Sequence, residues 1–267
     1  MGDRRMDGGG SVEIVRHRAG DAGVSASFAE IVLSRGEKRN ALTPGMLLAL
    51  RGAFEELGED GGVGAIALMG EGRSFCAGFD LGLMGEDSEH LGSMLRGLSE
   101  AVLAMRGCAK PVVVGVQGAA VAGGCALVCG ADVVVSHGSA KFGYPVTRLG
   151  VSPAVSVPTL AGMVGLGAAR ARALDPGLID GEGASRVGLV HVLVDSAEDV
   201  RPRSQLTAQK LSSKPGGAVA ATKGWMNKVD PWFGAESVAA GLEASLSLVG
   251  GEEERRLIRA AIDGSKA

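Results

Sequence analysis

No run of lysine or arginine occurs in this 267-residue sequence, and its 27 basic residues are outnumbered by 30 acidic ones, giving a formal net charge of −3. The electrostatic footprint of a nucleic-acid binder is therefore missing. Cysteine is scarce as well. Cys76, Cys108, Cys125 and Cys129 form no C-x-x-C pair and have no nearby histidine at ligand spacing, so neither a zinc site nor a disulfide framework is signalled, and reduced thiols in a cytoplasm are the expectation. The opening MGDRRMDGGG lacks an apolar signal core, and Met6 stands where a myristoylation signal wants Ser or Thr. We expect a flexible leader over residues 1–10 and no membrane attachment.

Charge is also absent from residues 111–131, a stretch long enough on hydropathy alone to pass for a membrane span. Its composition points elsewhere. It holds Gln117 and glycines at positions 115, 118, 123, 124 and 130, and its apolar residues fall into two blocks, 112–116 and 125–129. That pattern predicts a buried strand, a glycine-rich turn and the start of a buried helix. Peptide N–H groups in such a turn and in the first helical turn have no intrahelical partner, so they form an anion or oxyanion site.

The remainder is that of a globular protein, 46% hydrophobic and 21% charged, with 44 glycines for tight turns and close backbone approaches. Residues 12–18 and 24–33 alternate around Ala19-Gly20-Asp21-Ala22-Gly23 and predict an antiparallel strand pair. Thr43 followed by Pro44 is an N-cap with proline in the first turn, and Met46, Leu47, Leu50, Phe54 and Leu57 keep helical spacing up to Gly58. Strands are predicted at 64–69, 132–136 and 188–194, a long helix at 86–106 and short ones at 168–174 and 183–187. The segment 139–156 has the irregular habit of a site-forming loop. After Ser196 the periodicity is helical, over 200–211, 217–228, 235–248 and 252–262. Alternating strands and helices define an α/β class. We divide the chain into the leader, a core over 11–212 and a C-terminal helical region over 213–267.

Five segments, in order and properly spaced, resemble the crotonase family, the enoyl-CoA hydratase/isomerase superfamily. They are KRNAL at 38–42, GRSFCAGFDL at 72–81, VQGAAVAGGCALVCGAD at 116–132, KFGYPVTRLGVSP at 141–153 and IDGEGASRVGLVHVLV at 179–194. The resemblance implies a spiral of ββα units, a C-terminal region used in trimerisation, and often a dimer of trimers. It implies binding of an acyl-CoA thioester in fatty acid metabolism, with coenzyme A entering as part of the substrate and no separate cofactor. By match to the motif, the peptide N–H groups of Ala77 and of Gly123, or its neighbour Gly124, hold the thioester oxygen as it becomes an enolate. Lys38, Arg39 and Lys223 fall where cationic side chains meet the CoA nucleotide. Ala41, Gly78, Phe79, Asp80, Leu81, Gly124 and Tyr144 complete the implied binding set.

The departure from the family lies in its acids. The hydratase glutamates fall at Ala126 and Val146, and the alternative acidic position of other branches at Ala154; all three are apolar here. Ala122 replaces the first glycine of the usual triple. An oxyanion hole stabilises charge but moves no proton. Substitutes would come from Glu86, Asp87 or His90, or from Tyr144, Thr147, Arg148 and Ser152. Two further readings stay open beside an enoyl-CoA hydratase/isomerase-like enzyme. One is a non-catalytic acyl-CoA-binding homologue; the other is a thioester hydrolase using Cys125 with His137 as base.

Overall fold

The structure, a computed structural model, describes residues 3–7, 9, 11–83 and 88–264. Ten strands and ten α-helices are seen among them: β1 (Asp3–Met6), β2 (Val12–His17), β3 (Phe28–Leu33), α1 (Pro44–Glu59), β4 (Ile66–Gly70), α2 (Ser88–Gly107), β5 (Val112–Val116), β6 (Ala119–Val121), α3 (Gly123–Cys129), β7 (Val133–His137), β8 (Lys141–Gly143), α4 (Val157–Val164), α5 (Leu166–Leu174), β9 (Ile179–Asp180), α6 (Gly181–Arg186), β10 (Val192–Val194), α7 (Ala197–Ser212), α8 (Gly216–Val229), α9 (Ala235–Leu246) and α10 (Glu252–Gly264).

A seven-stranded sheet runs in the order β1-β2-β3-β4-β5-β7-β10. The first three strands are antiparallel neighbours and the rest are parallel, joined by crossovers that carry α1 and α2. Alternation decides which face each side chain takes. Ile66, Leu68, Val112, Val114 and Val134 enter the main core with α1, α2 and α3, while Ala65, Ala67, Val113 and Val135 pack against Val200 and Ala208 of α7 on the other face. The result is three layers, with the sheet buried on both sides.

Residues 3–6 of the expected leader form β1, paired in register with Arg16 through Glu13 of β2. Polar chain without an apolar core signals no structure of its own, but the unpaired edge of β2 supplies backbone partners. α1 starts as predicted, with the Thr43 hydroxyl accepting from the N–H of Met46 at 3.2 Å. α4 is an addition: Pro153 and Pro158 interrupt the helical pattern in sequence, yet Pro158 lies in the first turn of α4, where a missing N–H costs nothing.

The uncharged stretch 111–131 is not one helix. β5 leads through Gln117 and Gly118 into β6, which belongs to a second sheet of order β6-β8-β9, and then into α3. This β5-β6-α3 run is one ββα turn of the expected spiral. Gly118 is required by packing, since a Cβ there would lie 1.9 Å from the carbonyl oxygen of Arg73. No helix among the described residues is long and apolar enough to cross a membrane.

The C-terminal helices turn back onto their own chain. α7 lies on the sheet, α9 packs on α2 and on the turn at Pro153–Ser156, and α10 packs on the turns at Leu81–Leu83 and Pro145–Leu149.

Candidate functional site

Three loops converge at the start of α3. The first, residues 35–42, is bent by Arg39 and Asn40, both in left-handed conformation at φ 52° and 53°. Asn40 is fully buried, and its amide donates to the carbonyls of Glu71, Ser74 and Phe75, tying this loop to the second, residues 71–80. The third is the 117–123 turn. Its Gln117 amide donates to the carbonyls of Gly70, Gly72 and Ser74, while Cys76 pairs with Ala120 in a parallel bridge.

This clamp decides which backbone donors are free. The N–H of Ala77 donates to the carbonyl of Arg39 at 3.0 Å, so the donor expected from the FCAG motif is engaged. Two residues on, the N–H of Phe79 has no protein acceptor among the described residues, although its neighbours Gly78 and Asp80 are both bonded to Leu42. Gly123 is the first residue of α3, and its N–H likewise has no protein acceptor among the described residues. The two segments touch: a Cβ on Gly78 would lie 3.6 Å from the nitrogen of Gly123, and one on Gly123 would lie 3.3 Å from the Phe79 ring. Gly124 supports the turn from behind, where a Cβ would come within 2.4 Å of the carbonyl of Cys76. α3 has only seven residues, so the free N–H groups matter more here than a macrodipole.

Phe79, Gly123, Ala77 and Leu81 border a cavity of about 190 Å³. Its walls are Leu91, Leu95 and Leu98 of α2, Val146, Leu149, Val151 and Val155 of the 145–156 loop, and Ile258 of α10. The leucine stripe of α2 is legible in sequence as an apolar face. Ile258 is not: α10 is visibly amphipathic, but nothing local says what its face will cover. Among the described residues lining the cavity, none carries a carboxylate, an imidazole or a cationic group.

The remaining predicted site residues divide. Tyr144 lines the cavity, but its hydroxyl is 3.4 Å from the Cys129 sulfur and burial pushes its pKa well above 10. It is a wall, with its polar end turned to the protein. Val146 lines the cavity, whereas Ala126 lines a small adjoining niche and Ala154 is in neither. Ser152 borders the cavity and its Oγ accepts from the N–H of Ala154; Thr147 and Arg148 are exposed and outside it. Glu86 and Asp87 lie outside the described residues, and His90 is not among the lining residues.

Lys38 and Arg39 are exposed on the turn over loop 35–42, outside the cavity, with Ala41 beside them accepting from Arg35 at 2.5 Å. The Asp80 carboxylate pairs with Arg35 at 2.9 Å, so it holds the loops together. Lys223 corrects the expectation drawn from the family. It is buried, and its ammonium donates to Asp132 at 2.7 Å, to the Lys110 carbonyl at 2.9 Å and to that of Met105 at 3.5 Å, leaving no donor for a ligand. The hydrolase constellation is also not assembled. Its Cys125 neighbours Cys129, and that contact together with burial raises the Cys125 pKa well above 9. His137 instead sits against the Gln117 carbonyl and the Ser139 hydroxyl.

The enoyl-CoA hydratase/isomerase family profile matches residues 23–239. A probable enoyl-CoA hydratase of Rhodobacter capsulatus is 36% identical over 202 residues, covering 75% of this chain and 77% of that protein. A crotonyl-CoA hydratase of Syntrophomonas wolfei is 30% identical over 226 residues, covering 80% and 85%. Among solved structures, an enoyl-CoA hydratase/isomerase from Mycobacterium paratuberculosis superposes with a TM-score of 0.82 at 26% identity, covering 94% of this chain and 98% of that one.

Proposed function

Since the chain belongs to the enoyl-CoA hydratase/isomerase family, we propose that it binds an acyl-CoA thioester with the carbonyl oxygen between the N–H groups of Phe79 and Gly123. The observation that carries this reading is the pairing of two free peptide donors with the mouth of an apolar cavity. The acyl chain takes the cavity, excluding water from the hole. In a dry site, donors preorganised toward a developing enolate are worth about 3 to 4 kcal/mol each, by the cost of removing one in other enzymes. Lys38 and Arg39 are exposed on the loop whose Arg39 carbonyl holds Ala77, which supports a role for them in meeting the CoA phosphates.

The chemistry this arrangement supports is stabilisation of a thioester enolate. Hydration also needs a base for water and an acid for the α-carbon. No described lining residue supplies either, and Tyr144 is held neutral. That observation favours a second reading, an acyl-CoA-binding homologue without turnover. One measurement set separates them. Calorimetry with crotonyl-CoA and hexanoyl-CoA on the purified chain tests binding, and absorbance loss of the enoyl thioester tests hydration. Binding with turnover at the buffer rate supports the non-catalytic homologue; absence of binding sinks both readings.

A further inference from the structure

The last strand of the large sheet is held at its head by a side chain. β10 has three residues, Val192–Val194, and at the end of the strand order it is bonded on one side only, to β7. Just ahead of it, His191 meets Val134 of β7 twice. The His191 backbone N–H donates to the Val134 carbonyl at 3.0 Å, and the Val134 N–H donates to the His191 ring Nδ1 at 2.9 Å. A backbone N–H can only donate, so this Nδ1 carries no proton and the ring is neutral with its hydrogen on Nε2. Protonating the ring would set N–H against N–H. Val134 is fully buried, so no water stands ready to take its N–H if the ring turns away. The residue His191 is itself exposed, so protons reach it from solvent.

We propose that His191 is a pH-sensitive clasp, which fastens β10 to β7 while the imidazole is neutral and releases the strand when the imidazole takes a proton. The surrounding charges agree with that sign. Burial lowers the His191 pKa from its ordinary 6.5, and Asp132, just ahead of β7, opposes the shift without cancelling it. Asp132 is in turn held by the Lys223 ammonium of α8 at 2.7 Å. α6 and α7 pack on β10. On α6, Glu182 and Arg186 face each other at 3.8 Å, and on α7 the Asp199 carboxylate takes the Ser196 hydroxyl at 2.6 Å. The Val134 bond exists with the neutral ring alone. Its contribution is therefore complete above the unfolded pKa of 6.5 and is lost as pH falls through the lower folded value.

The test uses nuclear magnetic resonance on the full chain labelled with nitrogen-15. Ring spectra of the wild type at neutral pH should show His191 bare at Nδ1 and protonated at Nε2, with a titration midpoint below 6.5. Amide hydrogen exchange then reads the clasp itself. His191→Asn keeps a short side-chain acceptor for the Val134 N–H and has no proton to gain, whereas His191→Ala has no acceptor at any pH. Between about pH 7.5 and about pH 5.5, protection of the Val134 amide in the wild type should fall about three- to tenfold relative to the Asn variant, the worth of one net hydrogen bond. In the Ala variant it should be low at both. A proton on Nδ1 at neutral pH, a midpoint at or above 6.5, or one pH profile shared by the wild type and the Asn variant overturns the clasp. If neither variant folds, the wild-type tautomer and midpoint decide by themselves.

Discussion

Replacing Lys223 by methionine separates a structural lysine from a ligand-binding one. Methionine keeps the unbranched stem, so most of the packing survives and the change is confined to the ammonium. Three acceptors lose their partner. Asp132 is a third exposed and still accepts from the N–H of Val112 at 2.7 Å, so water replaces its lost contact cheaply. The Lys110 carbonyl loses a bond of 2.9 Å and the Met105 carbonyl a longer one of 3.5 Å. An unsatisfied buried carbonyl costs about 1 to 3 kcal/mol, and the partly hydrated Asp132 keeps the total below the roughly 3 to 5 kcal/mol of a broken, fully buried ion pair. The expected loss is about 2 to 3 kcal/mol in urea unfolding followed by circular dichroism, with the m-value unchanged. Acyl-CoA affinity of the folded variant stays at the wild-type level. A stability loss under about 0.5 kcal/mol would refute the reasoning. Loss of CoA affinity without loss of stability would restore the ligand role.

Four further outcomes are expected. Ala122 sits at φ 51°, ψ −114°, where a Cβ is strained by about 1 to 3 kcal/mol, while glycine's extra freedom in the unfolded chain offsets about 0.4 to 1; Ala122→Gly therefore gains about 1 kcal/mol in urea unfolding. Ala126→Glu, which places a carboxylate in a void of about 10 Å³, destabilises the chain by more than about 2 kcal/mol and confers no hydratase activity on its own, checked by unfolding and by crotonyl-CoA absorbance. Burial raises the Glu30 pKa, but His17 and Arg201 more than offset it, so the carboxyl ends below its ordinary 4.5. A depressed carboxyl adds stability above the unfolded pKa and loses it on acidification; wild-type stability should fall below about pH 4.5 more steeply than that of Glu30→Gln, measured by thermal melts across pH. On α8, Trp225 is 65% and Met226 62% exposed, whereas Trp232 packs on the core and Phe233 lies under Arg106. Trp225→Ser with Met226→Ser should lower the mass seen by light scattering if that face joins protomers.

What sequence made legible here is what neighbours along the chain decide. Thr43 and Pro44 start α1 because cap and first turn are local, and Val112 to Val116 is a strand between two layers because every position is apolar. The 111–131 stretch shows its glycines, and so its close approaches, without showing which backbone approaches. The choice of donor was not legible. The FCAG motif brings a loop to the helix start, but which of its N–H groups is free depends on the Arg39 carbonyl, contributed by a loop some forty residues earlier and turned by two left-handed residues. Lys223 failed for the same reason: its three acceptors come from the 105–132 segment, about a hundred residues away. Composition cannot distinguish a solvated lysine from a buried cross-link.

The strained residue and the proposed hole are linked by space. Gly78 lies so near Ala122 that a Cβ on it would be 3.0 Å from the Ala122 methyl and 3.1 Å from the Val121 carbonyl. Only one of the two positions can therefore carry a side chain. Gly78 itself turns at φ 91°, one residue before the unbonded Phe79 N–H, and it lies against the start of α3. Ala122, at φ 51°, is the residue at which the chain leaves β6 and enters α3, one residue before the unbonded Gly123 N–H. Relieving strain at 122 with glycine leaves this geometry possible but no longer filled by a methyl. The donors should keep their place, because β6 is pinned on both sides, by Cys76 and by β8. Methyl and strain can thus be removed together, while a methyl added at Gly78 must push the two donors apart.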